Sequence, residues 1–185
     1  MPTPFQLETP RLLLRPIEPR DRAPFLAMNL DPEVMRFFAS TFTHEKSDEH
    51  LARYHHQLLR DGFTFLTVEH RLTGQYLGIL GMQTMSTAVP NLPQPAVEIG
   101  WRLTRAAHGH GYATEGPRAV VDHALHTLHL PELVAITATG NTASRRVMEK
   151  LGMTHRPELS FDHPRVPAGH PYRRHVLYSL TNPST

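Results

Sequence analysis

A strand, a glycine-rich turn and a helix that follow one another in the middle of the chain constrain the fold most. Residues 97–115 read VEIGWRLTRAAHGHGYATE, and apolar side chains alternate from Val97 to Leu103, which predicts a strand. The turn Gly109-His110-Gly111 then opens a long helical pattern. Glycines turn the backbone without a Cβ clash, and the first N–H groups of a helix lack intrahelical partners. Together they predict an anion site, for which a diphosphate is the obvious ligand.

The glycine-rich turn alone leaves three interpretations open: a purely structural turn, a dinucleotide-binding fold and an acyl-CoA-binding fold. The dinucleotide fingerprint G-x-G-x-x-G would place its third glycine at Thr114, and it also needs an acidic residue at a later strand end. Here the stretch lies in mid-chain and no acid follows at a suitable place. A nucleotide-dependent oxidoreductase that binds NAD(P) is therefore disfavoured.

Composition favours a single domain in a reducing compartment. With 185 residues, we expect one domain over residues 1–185. The chain has no cysteine, which excludes disulfides and thiolate metal sites and suits the cytoplasm. Early prolines argue against a signal peptide. No run approaches the ~20 apolar residues that span a bilayer, so we expect no membrane partner.

The charged and histidine residues favour neither nucleic acid nor metal as a partner. The formal net charge is +2, and no run of arginines alternates with aromatic residues as in a nucleic-acid groove. A local basic patch for a phosphorylated ligand stays open. His55-His56 and His108-x-His110 are the candidate metal ligands, but no histidine pair is spaced i, i+4 beside a carboxylate, so we expect no metal.

Hydrophobic periodicity predicts a mixed α/β protein whose first half is antiparallel. The predicted strands cover residues 11–17, 63–70, 76–85, 96–103 and 133–139, a segment from 153 onward, and residues 174–180. The predicted helices cover residues 19–30, residues 31–40, a segment from 43 or 47 to about 60, a segment from the glycine turn to about 130, and residues 141–152. Pro117 lies early in the fourth helix, where it removes the hydrogen bond to residue 113 and favours a bend.

Five segments in the right order resemble one family. HGHGYATE at residues 108–115 and GNTASRRVMEKLGM at residues 140–153 together resemble the GNAT superfamily of acetyl-CoA-dependent N-acetyltransferases. The opening TPRLLLRPIEPRD, then DPEVMRFF and VEIGWRL, resemble its RimJ/RimL-like branch. The resemblance covers nearly the whole chain. It implies an α/β GNAT fold in a single domain, with a central, mostly antiparallel, V-splayed mixed sheet of six to seven strands flanked by helices.

The resemblance also implies an activity. It implies transfer of an acetyl group from acetyl-CoA to a primary amine, on a protein N-terminus or a small molecule, by direct transfer in a ternary complex without a metal. The lack of any cysteine nucleophile fits direct transfer. A homodimer is compatible with the resemblance. A second hypothesis is a non-catalytic acyl-CoA-binding or sensing domain.

The pyrophosphate motif of the family maps onto residues 108–113. Gly111 and Ala113 match that motif, whereas His108 stands where glutamine or arginine is usual. A histidine there adds positive charge only when it is protonated. The residues that the resemblance assigns to the cofactor are Trp101, Leu103, His108, Gly109, His110, Gly111, Tyr112, Ala113, Thr114, Asn141 and Arg146.

Four of these cofactor residues lie outside the glycine turn. The resemblance implies that backbone groups of Trp101 and Leu103 pair with pantetheine in a β-like manner. Asn141 either bonds the pantetheine arm or simply caps the helix that follows it. Arg146 either meets the nucleotide phosphates or lies on a solvated helix face.

Glu98 is the candidate base that takes a proton from the amine. It lies in mid-strand on the face opposite Ile99 and Trp101, and partial burial of a carboxylate raises its pKa towards the range that suits a base. The alternative is a glutamate paired with an arginine across the sheet.

Ser144 is the candidate donor to the departing thiolate. Many members of the superfamily place a tyrosine seven residues after the helix-capping asparagine, where this chain has Met148. Ser144 resembles a serine that the RimL-like branch places near the sulfur, and Tyr112 is a reserve candidate. The alternative for Ser144 is a capping or solvated serine in a first helical turn.

The acceptor pocket is expected between the early helices and the loop before the last strand. That loop contains acidic, basic and aromatic residues, so its chemistry selects no particular amine. The candidate lining residues are Phe37, Phe38, Asp162, His163 and His170.

Overall fold

The computed structural model describes residues 5–183 and contains one sheet of nine strands among them. The strands are β1 Leu7–Glu8, β2 Leu12–Arg15, β3 Phe65–His70, β4 Tyr76–Thr84, β5 Val97–Leu103, β6 Glu132–Ala138, β7 Thr154–His155, β8 Phe161–Asp162 and β9 Arg174–Thr181. The helices are α1 Arg22–Leu30, α2 His44–Asp61, α3 Tyr112–Asp122 and α4 Thr142–Lys150. Shorter segments are the 3-10 turns Pro19–Asp21, Arg105–Ala107 and Pro157–Leu159 and the π-helical turn His123–Thr127. The mixed α/β fold predicted from the sequence is confirmed.

The sheet is antiparallel at every pairing of the described strands except one. Its order is β1-β2-β3-β4-β5-β6-β9-β7, with β8 paired to β9. β5 and β6 run parallel and share one register pair, Glu98 opposite Val134, near the start of both strands. The two strands therefore separate towards their ends at Leu103 and Ala138. This separation is the V-shaped opening of the sheet.

Helices cover both faces of the sheet, and neighbouring residues of β4 point to opposite layers. Leu80 packs with Val120 of α3 and Met148 of α4 in the larger core cluster. Ile79 packs with Phe25 of α1 and Tyr54 of α2 on the other face. We call these two faces the α3 face and the α2 face.

A side-chain cap and a glycine cap define the two ends of α2, the helix on the α2 face of the sheet. Thr43 Oγ1 accepts a hydrogen bond from the Lys46 N–H at 3.2 Å, which satisfies one unpaired donor of the first turn. The helix ends at Gly62, whose φ of 78° lies in the left-handed region that favours glycine. Of the two predicted starts, 43 and 47, the structure therefore selects the earlier one.

The predicted helix over residues 31–40 is wrong. Only isolated turns form there, with the Met35 N–H bonded to the Asp31 carbonyl at 3.0 Å and the Phe38 N–H bonded to the Met35 carbonyl at 2.8 Å. Packing overrides the helical spacing because Met35 is 2% exposed in the α2-face core, while Phe38 turns out against a guanidinium group.

The predicted number of strands, six to seven, is two to three short of the nine described. The additional strands β1 and β8 are only two residues long, so they leave no alternation in the sequence. The helix after the glycine turn continues through Pro117 to Asp122. It then widens into the π-helical turn His123–Thr127 and ends short of residue 130.

Candidate active site

A cavity of about 650 Å³ occupies the opening between β5 and β6. It extends from the glycine turn before α3 to the side chains of α2. Residues from both faces of β5 line it: Ile99, Trp101 and Leu103 from one face, Glu98, Gly100 and Arg102 from the other. The cavity therefore connects the two faces of the sheet.

The glycine turn forms one end of this cavity. Gly109 and Gly111 have φ values of 80° and 83°, in the left-handed region where other residues are strained. The N–H groups of Thr114 and Glu115 both donate to the Gly111 carbonyl at 3.0 Å. The earlier N–H groups of α3 thus remain available at a helix end that favours an anion.

The structure brings most of the predicted cofactor residues together around the cavity. Those that line it are Trp101, Leu103, His108, Gly109, Gly111, Tyr112, Ala113 and Asn141. Three others do not line it. His110 stacks on the Tyr112 ring with centroids 5.5 Å apart, Thr114 lies further into α3, and Arg146 is exposed on α4.

His108 is held by the end of β5. Its Nε2 lies 3.2 Å from the Leu103 carbonyl oxygen. The imidazole thus lies between the turn and one of the backbone groups predicted to face pantetheine.

Asn141 is a helix cap in this structure. Its Oδ1 accepts a hydrogen bond from the Ser144 N–H at 3.2 Å, and its Nδ2 donates to Thr137 Oγ1 at 3.0 Å. The capping alternative from the sequence therefore describes the observed bonds, while the side chain still borders the cavity.

Glu98 lies on the α2 face of β5, where the strands begin to separate. Gln83 Nε2 donates to Glu98 Oε2 at 3.2 Å, and Gln57 Nε2 donates to Gln83 Oε1 at 3.3 Å. Thr64 Oγ1 in turn donates to Gln57 Oε1 at 3.4 Å. Glu98 forms no ion pair with any residue in the described range 5–183, so the predicted alternative of an arginine partner is not what the structure shows.

The surroundings of Glu98 raise its pKa. Burial is the largest cause and lifts the pKa above the ordinary value of 4.5. The hydrogen bond from Gln83 and the positive charges of Arg53 and Arg165 oppose the increase without cancelling it. A carboxylate in this environment accepts a proton more readily than a solvated one.

Ser144 and Met148 border the cavity from α4. Ser144 lies in the first turn, and its hydroxyl bonds to no residue of the described chain. Met148 is 1% exposed and carries no transferable proton. Ser144 is thus the side chain of this helix that combines a hydroxyl with access to the cavity.

The predicted acceptor residues divide into two groups. Phe37, Phe38 and His163 line the cavity, and burial lowers the pKa of His163 to about 4. Asp162 and His170 do not line it. The carboxylate of Asp162 pairs with two neighbouring arginines on the surface, and His170 Nδ1 accepts from a backbone N–H two residues later.

The sequence reasoning missed the cationic residues of the cavity. Arg102 shares the strand face of Glu98, at an even spacing of four residues, and that signal was available. Lys46 and Arg53 lie on α2, and Arg165 lies in the loop before β9. Their placement depends on how α2 and the loop pack on the sheet. The spacing of apolar residues in the sequence does not reveal that packing.

The sequence of this chain matches one known protein family. Residues 11–154 match the family described as an acetyltransferase (GNAT) domain. The chain belongs to the GNAT acetyltransferase family. The match confirms the family assigned from the sequence, and a GNAT fold accounts for the V-shaped sheet.

Relatives of this GNAT protein include one from a bacterium and one from a fungus. YkkB of Bacillus subtilis (strain 168), an uncharacterized protein, is 31% identical over 149 residues, which cover 80% of this chain and 84% of YkkB. The FsC-acetyl coenzyme A-N(2)-transacetylase of Aspergillus fumigatus is 30% identical over 180 residues, which cover 95% of this chain and 75% of that protein.

Solved GNAT structures share the architecture. The acetyltransferase (GNAT family) from Bacillus anthracis has a TM-score of 0.78 at 22% identity, with 96% of this chain and 99% of that chain covered. At this identity the similarity is one of fold.

Two features are absent from the described residues. No helix among them is long and apolar enough to cross a membrane. No group of three or more His, Cys, Asp or Glu side chains within residues 5–183 is placed to hold a metal ion.

Proposed function

We propose that this GNAT protein is an N-acetyltransferase that moves the acetyl group of acetyl-CoA to a primary amine by direct transfer in a ternary complex. One observation carries the proposal. The cavity that begins at the glycine turn of α3 also contains Glu98, a carboxylate of raised pKa. A phosphate-binding turn and a base thus border the same space.

The residues of the α3 face fit acetyl-CoA. The turn at Gly109 and Gly111 presents N–H groups at the positive end of α3, as a pyrophosphate requires. The edge of β5 beyond Glu98 has separated from β6 and offers backbone groups for an extended pantetheine arm. The name of the Aspergillus fumigatus relative contains acetyl coenzyme A and transacetylase, which supports acetyl-CoA as the donor here.

Glu98 performs the proton step in this proposal. An ammonium group must lose a proton before its nitrogen can attack the thioester carbonyl, and the Glu98 carboxylate takes that proton directly or through one water. Gln83 bonds to one carboxylate oxygen of Glu98, and no described residue donates to the other oxygen, so that oxygen can face the amine. The new C–N bond forms as the C–S bond breaks.

Ser144 is the proposed proton donor to the thiolate that leaves. Its hydroxyl borders the cavity and is not engaged by the described residues. Met148 cannot serve, because a thioether has no proton to give. The proton that the amine nitrogen releases on forming the amide balances the one given to sulfur.

We further propose that the protein belongs to the RimJ/RimL-like branch and acts in the cytoplasm. The support for the branch is the order of the five sequence segments from residue 9 to residue 153. The support for the compartment is the absence of cysteine.

Replacing the base tests the proposal. In Glu98→Gln, we expect kcat for an accepted amine to fall by ~100-fold or more, because general-base catalysis contributes on that order. Acetyl-CoA should still raise the melting temperature as in the wild type, since the glycine turn is unchanged. Glu49→Gln, an exposed glutamate of α2 outside the cavity, is the control.

Each outcome of this experiment has a defined meaning. Full activity of Glu98→Gln would remove Glu98 from the mechanism. Stabilisation by acetyl-CoA without transfer to any amine in a broad panel would favour a non-catalytic acyl-CoA-binding domain, which the methionine at position 148 makes the second candidate. Absence of stabilisation by acetyl-CoA would contradict the phosphate-binding turn.

A further inference from the structure

The α2 face of the cavity contains four cationic side chains that have no carboxylate partner among the described residues. They are Lys46, Arg53, Arg102 and Arg165. The cavity has two other arginines, and both are paired: Arg36 with Glu33 at 3.9 Å and Arg105 with Asp31 at 3.0 Å. The cavity therefore holds a surplus of positive charge on one face only.

Two of these arginines have buried donors with no acceptor in residues 5–183. The Nε atoms of Arg53 and Arg102 are shielded from solvent and make no hydrogen bond. Arg53 uses Nη2 to reach His50 Nδ1 at 2.9 Å, and Arg102 uses Nη1 to reach Asn29 Oδ1. Buried polar groups in folded proteins are almost always satisfied, so these N–H groups indicate an absent acceptor.

The four charges converge on one histidine. The pKa of His50 is lowered to about 3, with burial as the largest cause and the charges of Arg53, Arg102, Lys46 and Arg165 as the others. His50 is thus neutral at ordinary pH. It accepts a hydrogen bond from Arg53 and neutralises none of the surplus charge.

These cations are separated from the site of the coenzyme phosphates. Side chains alternate along β5, so Arg102 shares the face of Glu98, while Leu103 belongs to the α3-face core. Gly100 lies between Glu98 and Arg102 on the same face of β5. A Cβ added to Gly100 would come within 2.9 Å of the Phe65 ring on the α2 face. The glycine turn lies at the N-terminus of α3, on the other face.

Aromatic rings complete the α2 face. The guanidinium of Arg102 lies 4.3 Å above the Phe38 ring and 5.2 Å above the Phe42 ring. The ring of Phe42 also lies 4.8 Å from Lys46 Nζ. Rings in these positions hold the cations in place and provide an apolar wall for the carbon skeleton of a ligand.

We propose that the acceptor is a small amine that also carries a carboxylate, which the guanidinium groups of Arg53 and Arg102 bind while the amine lies at Glu98. This inference rests on the proposed N-acetyltransferase function. A carboxylate supplies the missing acceptors and charge together, and a guanidinium binds it through parallel hydrogen bonds. A small acceptor fits because the cavity of about 650 Å³ must also receive the acetyl end of the donor.

Matched pairs of acceptors test the proposal. Amino carboxylates of increasing chain length are compared with the corresponding carboxamides, which keep the amine and lose the charge. We expect at least one carboxylate to exceed its carboxamide in kcat/KM by ~10-fold to ~100-fold, the range for hydrogen bonds to charged groups. Peptides with an acidic residue near the N-terminus are measured in parallel.

Variants connect the preference to the named side chains. In Arg53→Gln we expect the ratio of kcat/KM for the carboxylate to kcat/KM for the carboxamide to fall towards one, mainly through a higher KM for the carboxylate. Arg165→Gln, an exposed residue whose loss does not threaten folding, should reduce the ratio in the same direction. Arg60→Gln, on the same helix as Arg53 but outside the cavity, should keep it.

The outcomes separate this inference from the proposed function. Equal rates with carboxylates and carboxamides, or rates with peptides alone, would overturn the inference and leave the N-acetyltransferase in place. If no amine is acetylated, the fluorescence of Trp101, the single tryptophan, still reports binding to the protein–CoA complex. Carboxylates that bind no tighter than carboxamides in that assay would also overturn it.

Discussion

Burial and one hydrogen bond act in opposite directions on the proton affinity of one carboxylate, Glu98. Glu98 lies on the α2 face with burial raising its pKa and a single amide, Gln83, bonded to one oxygen. Gln83 is itself fixed by Gln57, whose carbonyl accepts from Thr64. An ionised Glu98 only accepts hydrogen bonds, so Gln83 directs its NH₂ towards Glu98 and Gln57 directs its NH₂ towards Gln83 Oε1.

Removing the Gln83 amide should move the pH profile. For the wild type, kcat/KM should rise with pH through an inflection above 4.5, because the base acts in its ionised form. Gln83→Leu loses a hydrogen bond that favours the ionised form, so its inflection should lie at higher pH than in the wild type. The exposed Gln75 of the β3–β4 turn provides the control Gln75→Leu. An unchanged inflection in Gln83→Leu would mean that another group controls the profile.

At the scale of elements, the turn that opens α3 combines a backbone requirement with a binding role. Gly111 has a φ of 83°, and a Cβ added there would meet only an Arg11 guanidinium nitrogen, at 3.4 Å. Space is therefore available, and the backbone conformation is what demands glycine. A substitution there tests the conformation of the turn and not the room around it.

Gly111→Ala should lower both stability and donor affinity. The left-handed conformation costs an L-residue roughly 1–2 kcal/mol, which for a chain of this size lowers Tm by several degrees. If alanine instead shifts the turn, the N–H groups of α3 move and acetyl-CoA should bind more weakly. Gly140→Ala is the matched control, since Gly140 has open space and no left-handed φ. Thermal melting with and without acetyl-CoA measures both effects, and equal behaviour of the two variants would argue against the role of the turn.

Elements that follow from local patterns were predicted correctly, and those that depend on packing were not. The alternation of apolar residues from Val97 to Leu103 and the glycines after it predicted β5, the turn and α3. The two-residue period of a strand and the left-handed turn at glycine are local properties of the sequence. The segment of residues 31–40 has helical spacing, but Met35 gains more by entering the α2-face core. The place of Arg53 in the cavity was not predicted for a similar reason. An arginine on a polar helix is expected to be solvated, and only the packing of α2 on the sheet brings it into the cavity.

At the scale of the whole molecule, a buried ionic network ties the first strands to the chain that leads into α1. Arg15 Nη1 lies 2.7 Å from Asp21 Oδ2, and Arg15 Nη2 lies 2.8 Å from Glu69 Oε2. Thr67 Oγ1 also donates to Asp21 at 2.9 Å. Burial opposes the ionisation of Asp21, but the hydrogen bonds from Arg15, the Glu18 N–H and Thr67 outweigh it and lower its pKa below 3.8.

This network should make the fold sensitive to acid. Because the folded-state pKa of Asp21 lies below its unfolded value, its contribution is present above about pH 4 and is lost as the pH falls through the folded-state pKa. Asp21→Asn should cost ~1–3 kcal/mol at neutral pH, since it removes one of the two close carboxylates of the buried Arg15 and leaves that guanidinium with Glu69. Asp48→Asn, which breaks an exposed pair with Arg22, should change stability little. Urea unfolding across pH checks both, and a similar small loss in the two variants would contradict this role for Asp21.

The one parallel pair among the described strands, β5 and β6, affects how substrates reach the site in the proposed reaction. Since β5 and β6 touch at Glu98 and Val134 and then part, the space between them is a passage from one side of the sheet to the other. In the proposed reaction the thioester arrives from the α3 side and the amine from the α2 side. In that arrangement neither substrate would block the entrance of the other, and we therefore expect binding without a fixed order and a separate exit for each product. A compound that joins the sulfur of CoA to an amino carboxylate would fill the passage from end to end.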